Sequence, residues 1–318
     1  MEQTKTLIQK LKNGEPVRML IIGDSIGDGC GASGKPSKWF RLLCAMLKQR
    51  FGSECSFVDV SLGGNICYAG YVTALEMDDT DFDLVIDIYG ANDGVREFAL
   101  YYEVLLRTLI KKFSRSTIIA TIQNAVRKNQ SKIDSIREIA GYYSVPVADS
   151  LKYFTDSGID LSVLEPDGCH PSDIGQKLYA DSYFDLICKM VECNVGYPTS
   201  GLPPLDENVL PFDNFVSFPA DKFTRVSDTR FEIACGAVSG MLGLELWHLP
   251  GDLSREIFAD GVSVLKVDAK WPYNFAQKHI DIALKELSVK ESIAIEFVSK
   301  ELADGFCGIV LSKTKTER

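Results

Sequence analysis

Ser25 stands in Gly23-Asp24-Ser25-Ile26-Gly27, directly after the apolar run Val17 to Ile22. A buried strand that ends this way puts one hydroxyl on a tight turn, where glycines let the backbone bend and leave room beside it. At the carboxyl edge of an open α/β sheet, that is where ligands and chemistry collect. The pattern points to a nucleophilic serine, which needs a base, an orienting acid and donors for an oxyanion. The chain has only 3 histidines. His170 lies in Asp167-Gly168-Cys169-His170-Pro171. A carboxylate three residues ahead of an imidazole, across a glycine, can fold back onto the ring Nδ1–H. That fixes the tautomer and leaves Nε2 free to take the serine proton. Pro171 suits the first turn of a following helix. Alone, Asp-x-x-His more often caps a helix entry; beside the serine turn it reads as an acid–base pair. Two further turns, Gly63-Gly64-Asn65 and Gly90-Ala91-Asn92-Asp93, carry glycines whose N–H groups a substrate can approach and asparagines with amide donors. Singly, each reads as an ordinary strand-to-helix turn; at one edge together they could surround a developing negative oxygen.

These residues need strands that end at one edge. Apolar stretches predict strands over Val17–Ile22, Ser56–Ser61, Leu84–Ile88, Thr117–Ile122 and a short Val145–Val147. Between them, helical spacing predicts helices over residues 4–13, Pro36–Arg50, a stretch after Asn65, Arg96–Phe113, Ser131–Tyr142 and Ser172–Cys193. Strands apolar on both faces, alternating with helices, argue for a parallel five-stranded sheet in a flavodoxin-like three-layer α/β/α domain. This catalytic domain is expected over residues 1–196. Residues 197–211 hold Pro198, Pro203, Pro204 and Pro211 and read as a Pro-rich linker. Over 212–318 short runs (Phe215–Phe218, Phe231–Ile233, Leu242–Leu246, Ser263–Val267, Ser292–Phe297, Gly305–Leu311) alternate with turn signals, as in a small antiparallel β-sandwich accessory domain.

In order and spacing, Gly23-Asp24-Ser25, Gly64, Gly90-x-Asn92-Asp93 and Asp167-x-x-His170 resemble the four blocks of the SGNH (GDSL-type) hydrolases, over about residues 17–190. The resemblance implies Ser25 as nucleophile, His170 as base and Asp167 as orienting acid. It implies an oxyanion hole from the Ser25 N–H, Gly64 (with Gly63 as the adjacent alternative) and Asn92. Asp24 and Asp93 then hold their turns by hydrogen bonds. The resemblance does not extend to residues 200–318.

Other signals compete poorly. Gly29 to Lys35 nearly spells a phosphate-binding loop, with Asp87 ending a strand as a metal-binding aspartate would. Pro36 stands where the magnesium-binding hydroxyl would be, so the segment reads as a flexible rim over the serine. Asp78, Asp79, Asp81 and Asp83 lack the spacing of a calcium loop and read as a solvated acidic turn. His248 and His279 have no ligand partners near in sequence and read as surface or packing residues. Trp247, Trp271 and Tyr273 read as core aromatics, with sugar stacking as the alternative.

Composition is that of a globular chain: 318 residues, 46% hydrophobic and 25% charged. A formal charge of −10 argues against nucleic acid or an anionic membrane as partner. Met1 to Glu15 lacks the apolar core of a signal peptide, and 9 unpatterned cysteines read as reduced thiols, so a cytoplasmic location is expected. The expected function is a serine esterase acting on small acyl, chiefly acetyl, esters of a carbohydrate, with no cofactor and no metal. An O-acyltransferase acting on a sugar hydroxyl and a non-catalytic carbohydrate-binding protein with a vestigial triad are the alternatives. A homo-oligomer contact through the β domain is a further expectation.

Overall fold

The fold is built around β1 (Val17–Gly23), in which Met19, Leu20, Ile21 and Ile22 are fully buried. The computed structural model describes residues 6–194 and 201–313. Two compact units divide between Asp206 and Glu207.

In the first unit, α1 (Leu7–Asn13) precedes β1. Then follow α2 (Trp39–Phe51), β2 (Cys55–Asp59), α3 (Cys67–Glu76), β3 (Leu84–Ile88) and α4 (Phe98–Lys112). After these come β4 (Thr117–Ile122), α5 (Gln130–Tyr142), β5 (Val147–Asp149), α6 (Ser150–Asp156), α7 (Leu161–Leu164) and α8 (Asp173–Cys193). The five strands are parallel in the order β2-β1-β3-β4-β5. Because the strand repeat is two, Met19 and Ile21 pack in one core cluster with Trp39, Leu43, Tyr179 and Tyr183 of α2 and α8. Leu20 and Ile22, equally buried, face the other layer. Trp39 and Tyr183 meet with ring centroids 4.7 Å apart.

Three local readings are corrected. The second helix begins at Trp39 rather than Pro36. Lys35–Ser37 makes a single 3-10 turn, and Lys38 is extended (φ −63°, ψ 135°). The fifth strand begins two residues later than expected. Ser144 takes a positive φ of 56°, the Val145 N–H closes the preceding helix on Ala140 O (2.8 Å), and Pro146 has no N–H. The acidic turn is not simply solvated: Asp83 accepts from Arg18 N (2.8 Å) and pairs with Lys10 (2.7 Å), and Asp79 accepts from Arg18 Nη1 (2.9 Å). The short helices α6 and α7 gave no periodic signal, being one or two turns long.

Residues 197–200 of the expected linker lie outside the described residues. Further on, Leu205 N and Asp206 N donate to the Glu103 carboxylate at 2.7 and 3.0 Å, and Glu207–Asp213 forms a 3-10 turn. Among the described residues no helix is long and apolar enough to cross a membrane.

The second unit consists mainly of two antiparallel sheets. One runs Val262–Val267, Arg255–Ala259, Ser292–Phe297, Arg230–Ala234, Thr224–Arg225; the other runs Gln277–Val289, Val238–His248, Phe306–Ser312, Phe215–Pro219. Leu244, Leu246, Ile257, Ile293, Ile295 and Ile309 fill the space between them. The strand Gln277–Val289 escaped the sequence reading. Ile280, Leu284 and Leu287 recur at helical spacing, and two register shifts break the alternation a strand would show.

Candidate active site

The Gly23–Gly27 turn is compelled by close packing. A Cβ on Gly23 would lie 2.5 Å from the Ile88 Cγ2 and 2.7 Å from the Ile88 carbonyl oxygen. A Cβ on Gly27 would strike the Ser61 hydroxyl and come 3.1 Å from Gly23 Cα. The two glycines thus let the turn lie flat between β2 and β3. Asp24 is wholly buried; one carboxylate oxygen accepts from Ile26 N at 2.9 Å and the other from Gln123 Nε2 at 3.1 Å. Burial pushes its carboxyl up to about 6. Asp24 therefore holds the turn.

His170 meets both expected partners. Its Nε2 lies 2.9 Å from Ser25 Oγ and its Nδ1 2.6 Å from Asp167 Oδ2. The other Asp167 oxygen accepts from Cys169 N (2.9 Å) and His170 N (2.7 Å), across Gly168 at φ 81°. Desolvation pushes the Asp167 carboxyl upward, but these N–H groups and the His170 ring outweigh it and hold it at about 2. The side chain is 57% exposed, so its geometry is set by its backbone loop rather than by enclosure.

The two remaining turns flank Ser25, because β1 lies between β2 and β3 and all three run the same way. Leu62 N donates to Gly23 O at 2.8 Å. Gly64 takes φ 69°, a conformation that suits glycine. Asn92 Nδ2 donates to Asn65 O at 3.1 Å and so ties the two turns together, which leaves the amide's second hydrogen for another acceptor. Asp93 accepts from Cys67 N at 2.9 Å.

The Gly29–Lys35 rim is tied down rather than flexible. Ser33 donates twice to Asp173 (N–H 2.8 Å, Oγ 2.6 Å), and a Cβ on Gly31 would meet Pro171 O at 2.5 Å. Four supporting residues escaped the sequence reading. Gln176, fully buried on α8, donates to Cys30 O (2.9 Å) and Pro171 O (3.2 Å) and accepts from Trp39 N (3.0 Å). It joins the rim, the histidine loop and α2. Lys132 donates to Gly90 O (2.8 Å) and Asp93 O (2.5 Å); burial lowers its pKa. Arg127, half-buried, pairs with the buried Glu165 at 2.7 Å. A polar residue inside an otherwise apolar helical face was the available signal for Gln176 and Lys132.

In the second unit, of the two readings given for His248 and His279, packing holds and surface does not. Both are buried on neighbouring strands, with rings stacked 4.2 Å apart at 2°, and His248 Nε2 lies 2.9 Å from Asp281 Oδ2. Among the described residues these three are the one group whose donor atoms approach a metal-like spacing. The fit fails on direction: imidazole lone pairs lie in the ring plane, and two parallel rings that far apart do not aim at one ion at about 2 Å. Arg255 Nη2, 3.1 Å from Asp281, already supplies the countercharge. Trp271 packs edge-on to both histidines, while Trp247, Tyr273 and Phe275 are substantially exposed.

Residues 21–178 match the model of the GDSL-like Lipase/Acylhydrolase family. Through its first unit, the chain belongs to this family. It is accordingly an ester hydrolase of the serine type. The expected five-stranded parallel domain and antiparallel β domain are both present. Among solved structures, a two-domain esterase (CEX) active on acetylated mannans, co-crystallized with mannopentaose, is 16% identical. It covers 98% of this chain and 95% of its own, with a TM-score of 0.74. A catalytic mutant of Axe2, an acetylxylan esterase from Geobacillus stearothermophilus, is 20% identical over 55% of this chain and 96% of its own, with a TM-score of 0.46. A Clostridium thermocellum family 3 carbohydrate esterase is 16% identical over 57% of this chain and 100% of its own, also with a TM-score of 0.46. No curated protein sequence matches this GDSL-type hydrolase significantly.

Proposed function

We propose that this GDSL-type hydrolase removes acetyl groups from carbohydrate esters through an acyl-enzyme on Ser25. The reading rests on one observation, the unbroken chain of contacts from Asp167 through His170 to Ser25 Oγ, at 2.6 and 2.9 Å. Ser25 Oγ attacks the ester carbonyl as His170 Nε2 takes its proton, while Asp167 keeps the proton on Nδ1 and stabilises the imidazolium. The tetrahedral oxygen is received by the N–H groups of Ser25 and Gly64 and by the free hydrogen of the Asn92 amide. The alcohol leaves with the proton held on His170. Water, deprotonated by the same nitrogen, then releases acetate and restores Ser25. No cofactor takes part in these steps.

A neutral ester accords with the formal charge of −10. The carbohydrate class is supported by the fold shared with an esterase active on acetylated mannans. The first unit carries the reaction and the second serves as an accessory domain. Acetate release from acetylated oligosaccharides, compared between the native chain and Ser25→Ala, is the test. Loss of at least ~10³ in turnover is expected. Undiminished release by Ser25→Ala refutes the assignment, and acetyl transfer to an added sugar in preference to water would make the protein a transferase.

A further inference from the structure

The orienting acid of this site is open to solvent: the Asp167 side chain is 57% exposed and His170's 30%. An exposed carboxylate–imidazole pair has little to hold it in one geometry, since water competes for both partners. Asp167 is aimed instead by its own loop, through the N–H groups of Cys169 and His170 and the left-handed Gly168. The question is then what holds that loop.

The apex of the loop is gripped from below. Arg127, at the end of the short 3-10 turn after β4, sends Nη2 to the carbonyl of Gly168 at 3.2 Å. Its Nη1 donates to Asn124 O at 3.2 Å and meets Glu165 Oε2 at 2.7 Å. Glu165 is wholly buried and stands two residues before Asp167; its other oxygen accepts from Asn124 Nδ2 at 2.7 Å. Asn124 is fixed in turn, its N–H donating to the buried Tyr179 hydroxyl at 2.9 Å. The planar guanidinium holds the carboxylate and the carbonyl through two separate nitrogens in a fixed fork, a spread that an ammonium, with all its donors on one nitrogen, does not match. One side chain therefore joins the β4–α5 loop to both ends of the Glu165–Gly168 turn.

We infer that Arg127, locked by Glu165, is the positioning residue for the acid–base pair, acting on the reaction through the Asp167 loop without touching substrate. The inference rests on the esterase reading of Ser25, and its test separates the two. Arg127→Met alone would strand a buried carboxylate, so the variant is Arg127→Met with Glu165→Gln, and Arg127→Lys is the second, keeping a cation beside Glu165. Two readouts are taken on folded protein. The low-field Nδ1–H proton resonance of His170 reports its bond to Asp167 whether or not the protein turns over. It should broaden or vanish in the double variant, and an unchanged resonance overturns the inference. Steady-state hydrolysis should show kcat falling at least ~10-fold with KM within about twofold. In an Asp167→Asn background the same changes should cost less than about threefold more, because both act through one bond. Losses that simply multiply with those of Asp167→Asn, or a folded Arg127→Lys with native turnover, also overturn it. A native chain that hydrolyses no ester but loses the resonance on mutation refutes the esterase reading and leaves the positioning role standing.

Discussion

Asp87 provides a sharp test of how the sheet carries the site. It sits on β3 next to Ile88, whose carbonyl accepts from Asp24 N and Gln123 Nε2. The residue is wholly buried, and the Tyr102 hydroxyl beside it offsets only part of the cost of that burial. Burial first, and then the nearby Asp93 and Asp24, push its carboxyl up to about 8 from an ordinary 3.8. At neutral pH it is largely a neutral acid. The linkage has a definite sign. Because the folded value is raised, Asp87 contributes stability below its unfolded value, and that contribution is lost as pH rises through the folded one. Between 3.8 and about 8 the folded chain holds a proton that the unfolded chain releases. At roughly 1.4 kcal/mol per pK unit the difference comes to about 6 kcal/mol. Asp87→Asn keeps the shape and removes the proton. In urea unfolding followed by helical circular dichroism, which reports mostly the first unit, the advantage of the native chain over Asp87→Asn should therefore shrink steadily across that range. Parallel stability curves for the two proteins would refute the reasoning and mean that Asp87 ionises at its ordinary value.

Other substitutions probe other parts. Gly23→Ala should destabilise the first unit by ~2–3 kcal/mol, measured by urea midpoint, because the new Cβ meets the Ile88 carbonyl at 2.7 Å. Asn92→Ala should lower kcat by about 10²–10³ if its amide serves the oxyanion, and a loss confined to KM would contradict that role. In the second unit, burial and the neighbouring His248 depress His279 to about 4 from 6.5. Its contribution is present above 6.5 and should be lost as pH falls toward 4, roughly 3 kcal/mol in all. His279→Phe should flatten that acid limb, as read by Trp271 fluorescence.

The site was legible in the sequence wherever it is local. Asp167 and His170 are three residues apart and meet within one loop, and Ser25 follows a strand whose seven residues are all apolar, small or a single arginine. The turns after β2 and β3 could be assigned to the same edge because parallel topology dictates it. Contacts across distance left no mark in the spacing. Gln176 lies 146 residues from Cys30 and Glu165 lies 41 from Asn124, so neither partnership is written in a motif. His248 and His279 looked isolated because their meeting depends on the register of the strand Gln277–Val289, whose helical spacing concealed it.

Covalent capture tests the account most directly. A fluorophosphonate probe, followed by peptide mass spectrometry, should place a single adduct on Ser25, with labelling abolished in Ser25→Ala and greatly slowed in His170→Ala. An adduct on another residue, or a native chain that stays unlabelled through neutral and mildly alkaline pH, would contradict it.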